Sequence, residues 1–93
     1  MEIECNLYGP VQESFGQRHA TVEVAAGATV GDVLDVLVTT APDLQEVLFD
    51  EEGEIAESLG VIVNKRNVSR AQGLETPVNP GDEILVTPPI AGG

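Results

Sequence analysis

The fold of this chain is decided by residues 29–41, TVGDVLDVLVTTA. Apolar residues recur here at intervals of three and four, the period of a helix with one buried face. This stripe consists of Val30, Val33, Leu34, Leu37, Val38 and Ala41. Thr29 and Asp32 have the spacing of a capping box, so the helix is predicted to begin there. Because β-branched residues lower the helix propensity of this segment, we predict that the helix is stabilised by packing against a sheet.

Strand patterns precede this helix. Residues 2–8 alternate polar and apolar side chains, the period of a strand with one buried face. Residues 20–24 repeat the alternation and predict a second strand, antiparallel to the first. Gly9-Pro10 ends the first of these strands, and the segment through residues 14–16 is predicted to be a loop between them.

Shorter elements follow the helix. Pro42 ends it, and residues 43–48 predict a second, shorter helical turn. Residues 61–63 are apolar on both faces, as in a central strand, residues 64–67 predict a hairpin turn, and residues 84–86 predict the last strand. The order β-β-α-β-β predicts one α+β domain, in which a mixed sheet packs on one main amphipathic helix.

The side chains that most often perform catalysis or bind metals are scarce. The chain has one cysteine and one histidine, so it lacks an intramolecular disulfide, a Cys-x-x-Cys zinc site and a catalytic dyad. Cys5 alternates with apolar residues of the first strand and is predicted to be a small buried residue. The acidic run at residues 50–54 does not match the EF-hand spacing and is predicted to face water without metal.

The charge of the chain is strongly unbalanced. Sixteen acidic and four basic residues give a net charge of −12, which disfavours nucleic acids and anionic membranes as partners. We see no secretory leader and no apolar run of about 20 residues, which predicts a soluble protein of the reducing cytoplasm. The acidity is interpreted either as steering toward a basic partner or as adaptation to high salt, and the single lysine favours a halophilic archaeon.

A patterned tail follows the last predicted strand. Consecutive prolines remove two backbone donors and hold φ near the polyproline value, so neither a sheet ladder nor a helix continues. Glycine lacks a Cβ, which lets a narrow channel close around the final residues. We therefore predict a domain over residues 1–87 and a projecting tail that serves as a substrate. The tail residues are Pro88, Pro89, Ile90, Ala91, Gly92 and Gly93.

This tail, at the end of a short acidic chain, resembles that of the ubiquitin-like sulfur carriers. The group includes the small subunit of molybdopterin synthase, its thiamine-pathway relatives and the archaeal small modifier proteins. The resemblance implies a β-grasp, ubiquitin-like fold. It also implies that the carboxylate of Gly93 is adenylated by an E1-like enzyme, which uses ATP, and is then converted to a thiocarboxylate. No cofactor bound to the chain itself is implied.

Three functions remain open. The leading one is sulfur carriage for molybdopterin biosynthesis, with the synthase large subunit as partner, or for tRNA thiolation. The second is a protein modifier that forms isopeptide bonds with target lysines, and the third is a non-catalytic β-grasp binding module. Lys65 is the only side-chain amine that could accept an isopeptide bond.

Two positions depart from the family pattern. Relatives often carry Asn-Gly where this chain has Asn64-Lys65, which leaves the geometry of the hairpin turn open. Relatives also often carry a large apolar residue where Thr87 precedes the prolines. The smaller apolar anchor at the base of the tail leaves the choice of partner open.

Overall fold

The computed structural model describes residues 1–69 and 71–88, so the predictions made for Pro89 to Gly93 lie outside the described residues. The strands are β1 (Glu2–Leu7), β2 (His19–Glu23), β3 (Gly60–Val63), β4 (Arg66–Asn67) and β5 (Glu83–Thr87). The helices are α1 (Pro10–Phe15), α2 (Val30–Thr40) and α3 (Leu44–Leu48), and a 3-10 turn spans Gly73–Glu75.

The strands form one mixed sheet in the order β2-β1-β5-β3-β4. β1 and β5 are parallel, and the other neighbours are antiparallel, including the predicted β1–β2 pair. β3 lies inside the sheet, between β5 and β4, as its two apolar faces predict. This mixed sheet with one main helix confirms the predicted β-grasp, ubiquitin-like fold.

Helix α2 packs its apolar stripe on the sheet. Val30, Val33, Leu34 and Leu37 are almost completely buried, and Val38 and Ala41 are half-buried at the border of the core. The capping box forms as predicted: the Thr29 amide donates to Asp32 Oδ2 at 2.9 Å, and the Asp32 amide donates to Thr29 Oγ1 at 3.4 Å. The sheet side of the core includes Ile3, Leu7, Ile84 and Val86, all fully buried.

The prediction of a loop after β1 was wrong, because the chain forms helix α1 over Pro10–Phe15. Proline at the first helical position needs no hydrogen-bond acceptor, and Gly16 ends the helix with φ of 93° while its amide donates to Gln12 O at 2.8 Å. Val11 anchors the helix in the core. Six residues are too short to show a helical period in the sequence.

The hairpin between β3 and β4 is tighter than predicted. Val63 pairs with Arg66, so the loop contains only Asn64 and Lys65, and the return strand begins at Arg66 instead of Val68. Asn64 and Lys65 have φ of 49° and 73°, the positive values that a type I′ turn requires at both central positions. Lys65 therefore occupies the place of the usual glycine without changing the kind of turn.

The acidic run forms a tight turn. Asp50 Oδ1 accepts from the amides of Glu52 at 2.9 Å and Glu54 at 3.0 Å. Across residues 1–69 and 71–88, no group of three or more His, Cys, Asp and Glu side chains is arranged to hold a metal ion. Helices within the same ranges are too short or too polar to cross a membrane.

Candidate functional site

The base of the tail is the end of β5. The Tyr8 amide donates to Val86 O at 2.9 Å on the β1 side, and Thr87 pairs with Gly60 on the β3 side. The strand is thus held by β1 as far as Val86 and by β3 as far as its last residue, Thr87. Pro88, which is exposed, follows at once and has no amide to donate.

Gly9 lies directly against the ring of Pro88. A Cβ added to Gly9 would lie 2.7 Å from Pro88 Cγ, closer than real Cβ atoms approach, and 3.0 Å from Pro88 Cδ, which is also tight. Gly9 also has φ of 63° and ψ of −140°, a region that essentially only glycine adopts. The junction between β1 and α1 is therefore in van der Waals contact with the first residue of the tail.

An apolar pair lies on the face of the sheet that points away from the core. Ile62 and Leu85 are cross-strand partners on β3 and β5, and Asn6 is the partner of Leu85 on β1. All three side chains are half-buried and line one shallow depression. Sequence reasoning missed this pair, because Ile62 and Leu85 lie within apolar triplets that predict core strands. The signal was nevertheless available. Each of the two is the middle residue of its triplet, and neighbouring residues of a strand point to opposite faces, so the middle side chain faces away from the core when the outer two face it.

The hairpin that carries Lys65 borders this depression. Asn64 Nδ2 donates to Asp82 Oδ1 at 2.7 Å, and the Glu83 amide donates to Asn64 Oδ1 at 2.9 Å. These bonds fix the hairpin to the start of β5. Because Pro88 follows the other end of β5, five residues beyond Glu83, the hairpin and Pro88 are separated by roughly 17 Å of strand, at about 3.3 Å per residue. The structure therefore does not bring Lys65 and the base of the tail together.

Cys5 and His19 belong to opposite sides of the sheet. Cys5 is fully buried, and burial, with a smaller contribution from Glu4, raises the pKa of its thiol to about 12. His19 is exposed, with Nε2 at 2.7 Å from Glu4 Oε2 and Nδ1 at 3.0 Å from Asn6 Oδ1. A protonated, inaccessible thiol is a poor nucleophile, and among residues 1–69 and 71–88 the buried polar or charged side chains comprise only Thr76, which is not a base. The buried position predicted for Cys5 is confirmed.

Comparison with known proteins shows the family to which this chain belongs. A family model described as the ThiS family matches residues 5–93. This chain belongs to the ThiS family. Small archaeal modifier protein 3 of Haloferax volcanii is 37% identical over 93 residues, which covers 100% of both chains. Small archaeal modifier protein 1 of the same organism is 35% identical over 91 residues, 98% of this chain and 100% of the relative.

Solved structures place this ThiS-family protein in the same group. The crystal structure of the Haloferax volcanii modifier protein 1 superimposes with a TM-score of 0.84, at 33% identity and 100% coverage of both chains. Sulfur carrier protein CysO of Mycobacterium tuberculosis is 31% identical over 71 residues, 74% of this chain and 76% of the relative. The BexX/CysO complex of Amycolatopsis orientalis matches with a TM-score of 0.77, at 26% identity, covering 98% of this chain and 99% of that one.

These relatives establish the general kind of protein. They are named small archaeal modifier proteins and sulfur carrier proteins. The predicted membership in the ubiquitin-like sulfur carriers is therefore confirmed. The described residues of this ThiS-family protein provide the body of such a carrier and the base of its tail.

Proposed function

We propose that this protein is a ubiquitin-like sulfur carrier whose Gly93 carboxylate is activated by an E1-like enzyme in the cytoplasm. The observation that carries the proposal is the end of β5, which is hydrogen-bonded to β1 through Val86, is paired with β3 through Thr87, and then continues into Pro88. A rigid body with a fixed departure point for its tail suits a chain whose end enters another protein's active site. The relatives named sulfur carriers support this function.

Activation is needed because a terminal carboxyl has a pKa of about 3.5 and is ionised at neutral pH, where it resists nucleophiles. In the proposed reaction, a carboxylate oxygen of Gly93 attacks the α-phosphorus of ATP and displaces pyrophosphate. A sulfur donor at the oxidation level of sulfide then attacks the acyl carbon, and AMP leaves with the bridging oxygen. The product is a thiocarboxylate, and ATP is used by the activating enzyme without being held by the carrier.

The partner surface of this proposal is the outer face of the sheet. Ile62 and Leu85 offer an apolar centre, and polar side chains such as Asn6 border it, the arrangement typical of protein interfaces. The E1-like enzyme would bind this face and thread residues 88–93 toward ATP. In molybdopterin biosynthesis, the synthase large subunit would receive the thiocarboxylate, and in tRNA thiolation a separate enzyme would do so.

A second function is favoured by the relatives named modifier proteins, which match at 35% and 37% identity. In this case the ε-amine of a target lysine attacks the same activated carbon, AMP leaves, and an isopeptide bond forms. Lys65 is exposed in its turn and is the only lysine of the chain, so it is the proposed acceptor if the protein forms chains. Sulfur carriage and modification can coexist, because they use one acyl-adenylate.

Intact mass spectrometry tests the proposal. The protein is incubated with ATP, a sulfide donor and an E1-like adenylating enzyme. We expect a product heavier by the difference between sulfur and oxygen. A variant lacking Gly92 and Gly93 should remain folded and unmodified. If the wild-type mass never changes with ATP and the truncated variant keeps its partner affinity, the binding-module function replaces the carrier function.

A further inference from the structure

The ring of Pro88 approaches Gly9 more closely than a turn between β1 and α1 would require. The absent Cβ of Gly9 leaves the space into which Pro88 Cγ and Cδ fit, at distances of 2.7 Å and 3.0 Å from where a Cβ would lie. Gly16, at the other end of α1, also has a positive φ, yet a Cβ there would have no neighbour within 4 Å. Positive φ alone therefore does not account for the close approach at Gly9.

Gly9 is fixed from both of its sides. The Tyr8 amide donates to Val86 O at 2.9 Å, so β1 and β5 are joined immediately before Gly9. The carbonyl of Gly9 accepts from the Glu13 amide at 3.1 Å as the first bond of α1. Val11 then anchors α1 in the core with no exposed surface. The surface that Gly9 presents to Pro88 is thus part of the rigid body.

Pro88 transmits this position to the residues that follow it. The pyrrolidine ring fixes its φ near −65°, and its bulk restricts Thr87 to extended backbone. The pairing with Gly60 holds Thr87 in β5. When the Pro88 ring also rests on Gly9, the ψ angle of Pro88 is the first backbone torsion of the tail that can rotate freely. A shift of the ring would change the direction of every residue after it.

We propose that Gly9 is a positioning residue that seats the Pro88 ring and thereby aims the tail at the reacting centre of the activating enzyme. This inference rests on the proposed function of Gly93 as the site of adenylation. Gly9 touches neither ATP nor the reacting carboxylate. Its role is carried entirely by the contact with Pro88.

Four variants test this role: Gly9→Ala, Gly16→Ala, Pro88→Ala and the double variant Gly9→Ala/Pro88→Ala. Gly16→Ala is the matched control, because it also introduces a Cβ at positive φ beside α1 but meets no other atom. Urea unfolding verifies that each variant is folded. ATP–pyrophosphate exchange by an E1-like enzyme measures kcat and KM for each variant as the carrier substrate.

We expect Gly9→Ala to lower kcat by roughly 10- to 100-fold, the usual cost of misplacing a reacting group by about 1 Å. KM should change little, because the sheet face is intact. Gly16→Ala should match wild type. Pro88→Ala should lower kcat by itself. Adding Gly9→Ala to Pro88→Ala should lower kcat no further than Gly16→Ala lowers the kcat of wild type. Equal kcat values for Gly9→Ala and Gly16→Ala overturn the proposal, as does a Gly9→Ala defect that persists undiminished without the Pro88 ring.

An NMR measurement separates this inference from the proposed function. In wild type, we expect a nuclear Overhauser effect between the Gly9 Hα protons and the Pro88 ring protons. Gly9→Ala should shift the amide signals of residues 90–93, and Gly16→Ala should not. Unshifted tail amides in Gly9→Ala overturn the positioning role even if wild type is adenylated. Failure of wild type to be adenylated, with these shifts observed, overturns the carrier function and leaves only the seating of the Pro88 ring by Gly9.

Discussion

Ile62 and Leu85 face each other across β3 and β5 on the outer side of the sheet. Directly opposed apolar side chains in an antiparallel pair lie about 5 Å apart at their Cβ atoms and stabilise the sheet modestly. Both remain partly exposed, on a protein with a net charge of −12. An apolar pair that is open to solvent on so acidic a surface is the feature that a protein partner would bury.

Leu85→Ala should therefore weaken binding to an E1-like enzyme by roughly tenfold, the effect of removing one central interface contact. The neighbouring Ile84 points into the core, so Ile84→Ala should instead lower the free energy of unfolding by about 2–5 kcal/mol and leave affinity unchanged while the protein is folded. Isothermal titration calorimetry and urea unfolding measure the two effects. Unchanged affinity of Leu85→Ala would remove the outer face from the docking surface.

Thr29→Ala should destabilise the protein by about 1 kcal/mol, because the Asp32 amide loses its acceptor at the start of α2. Thr39→Ala is the matched control near the other end of the helix. Its hydroxyl only donates to Asp35 O at 3.0 Å on the exposed side, so the change should stay within about 0.5 kcal/mol. Urea midpoints of the two variants give the comparison. Equal midpoints would mean that the capping box contributes nothing to the stability of α2.

Cys5 should resist alkylation until the protein unfolds, since its thiol is buried and its pKa is raised to about 12. A Ser58→Cys variant adds an exposed thiol as an internal control, and iodoacetamide should modify one thiol in the folded state and two in urea. Rapid modification of both thiols without denaturant would contradict the burial of Cys5.

The same thiol predicts a dependence of stability on pH. The folded pKa of about 12 lies above the ordinary value of 9.0, so the contribution of the neutral thiol is complete below pH 9.0 and is lost as pH rises toward 12. Above pH 9.0 the free energy of unfolding should fall more steeply for wild type than for Cys5→Ala. Parallel curves would show that Cys5 ionises with the same pKa in both states.

Lys65→Gly should raise the free energy of unfolding by about 1 kcal/mol, because a side chain at φ of 73° is strained and glycine is not. Lys65→Arg keeps the strain and the charge, so its stability should equal that of wild type. Lys65→Arg should nevertheless abolish self-conjugation, because the guanidinium is not an acceptor. Urea unfolding and intact mass measure the two effects, and chains formed by Lys65→Arg would exclude Lys65 as the acceptor.

The acidic composition predicts that salt stabilises this protein. Raising KCl from about 0.1 M to about 1 M shortens the Debye length from about 10 Å to about 3 Å and screens repulsion among the excess carboxylates. We expect the free energy of unfolding to rise over this range, and to rise less in a Glu51→Gln/Glu52→Gln variant. Stability that falls with salt would contradict adaptation to high salt and favour steering toward a basic partner.

The features that the sequence predicted are those that a local pattern specifies. Helix α2 was predicted because its stripe and its capping box repeat within 13 residues, positions 29–41. Strands β1 and β2 were predicted from alternation within a few residues, and β3 and β5 from short apolar runs, whereas the start of β4 was predicted two residues too late. Helix α1 was missed because six residues held by a proline, a glycine and one buried Val11 show no periodicity.

The sequence alone determined the ubiquitin-like fold class, the buried state of Cys5 and the family, because side-chain period, composition and a short motif are properties of neighbouring residues. Only the tertiary structure decided that Leu85 meets Ile62 on the outer face, that Lys65 and Pro88 belong to opposite ends of β5, and that Gly9 lies against Pro88. These relationships join residues far apart in the chain. Strand order and register create them, and no pattern of neighbouring residues encodes which distant strands will pair.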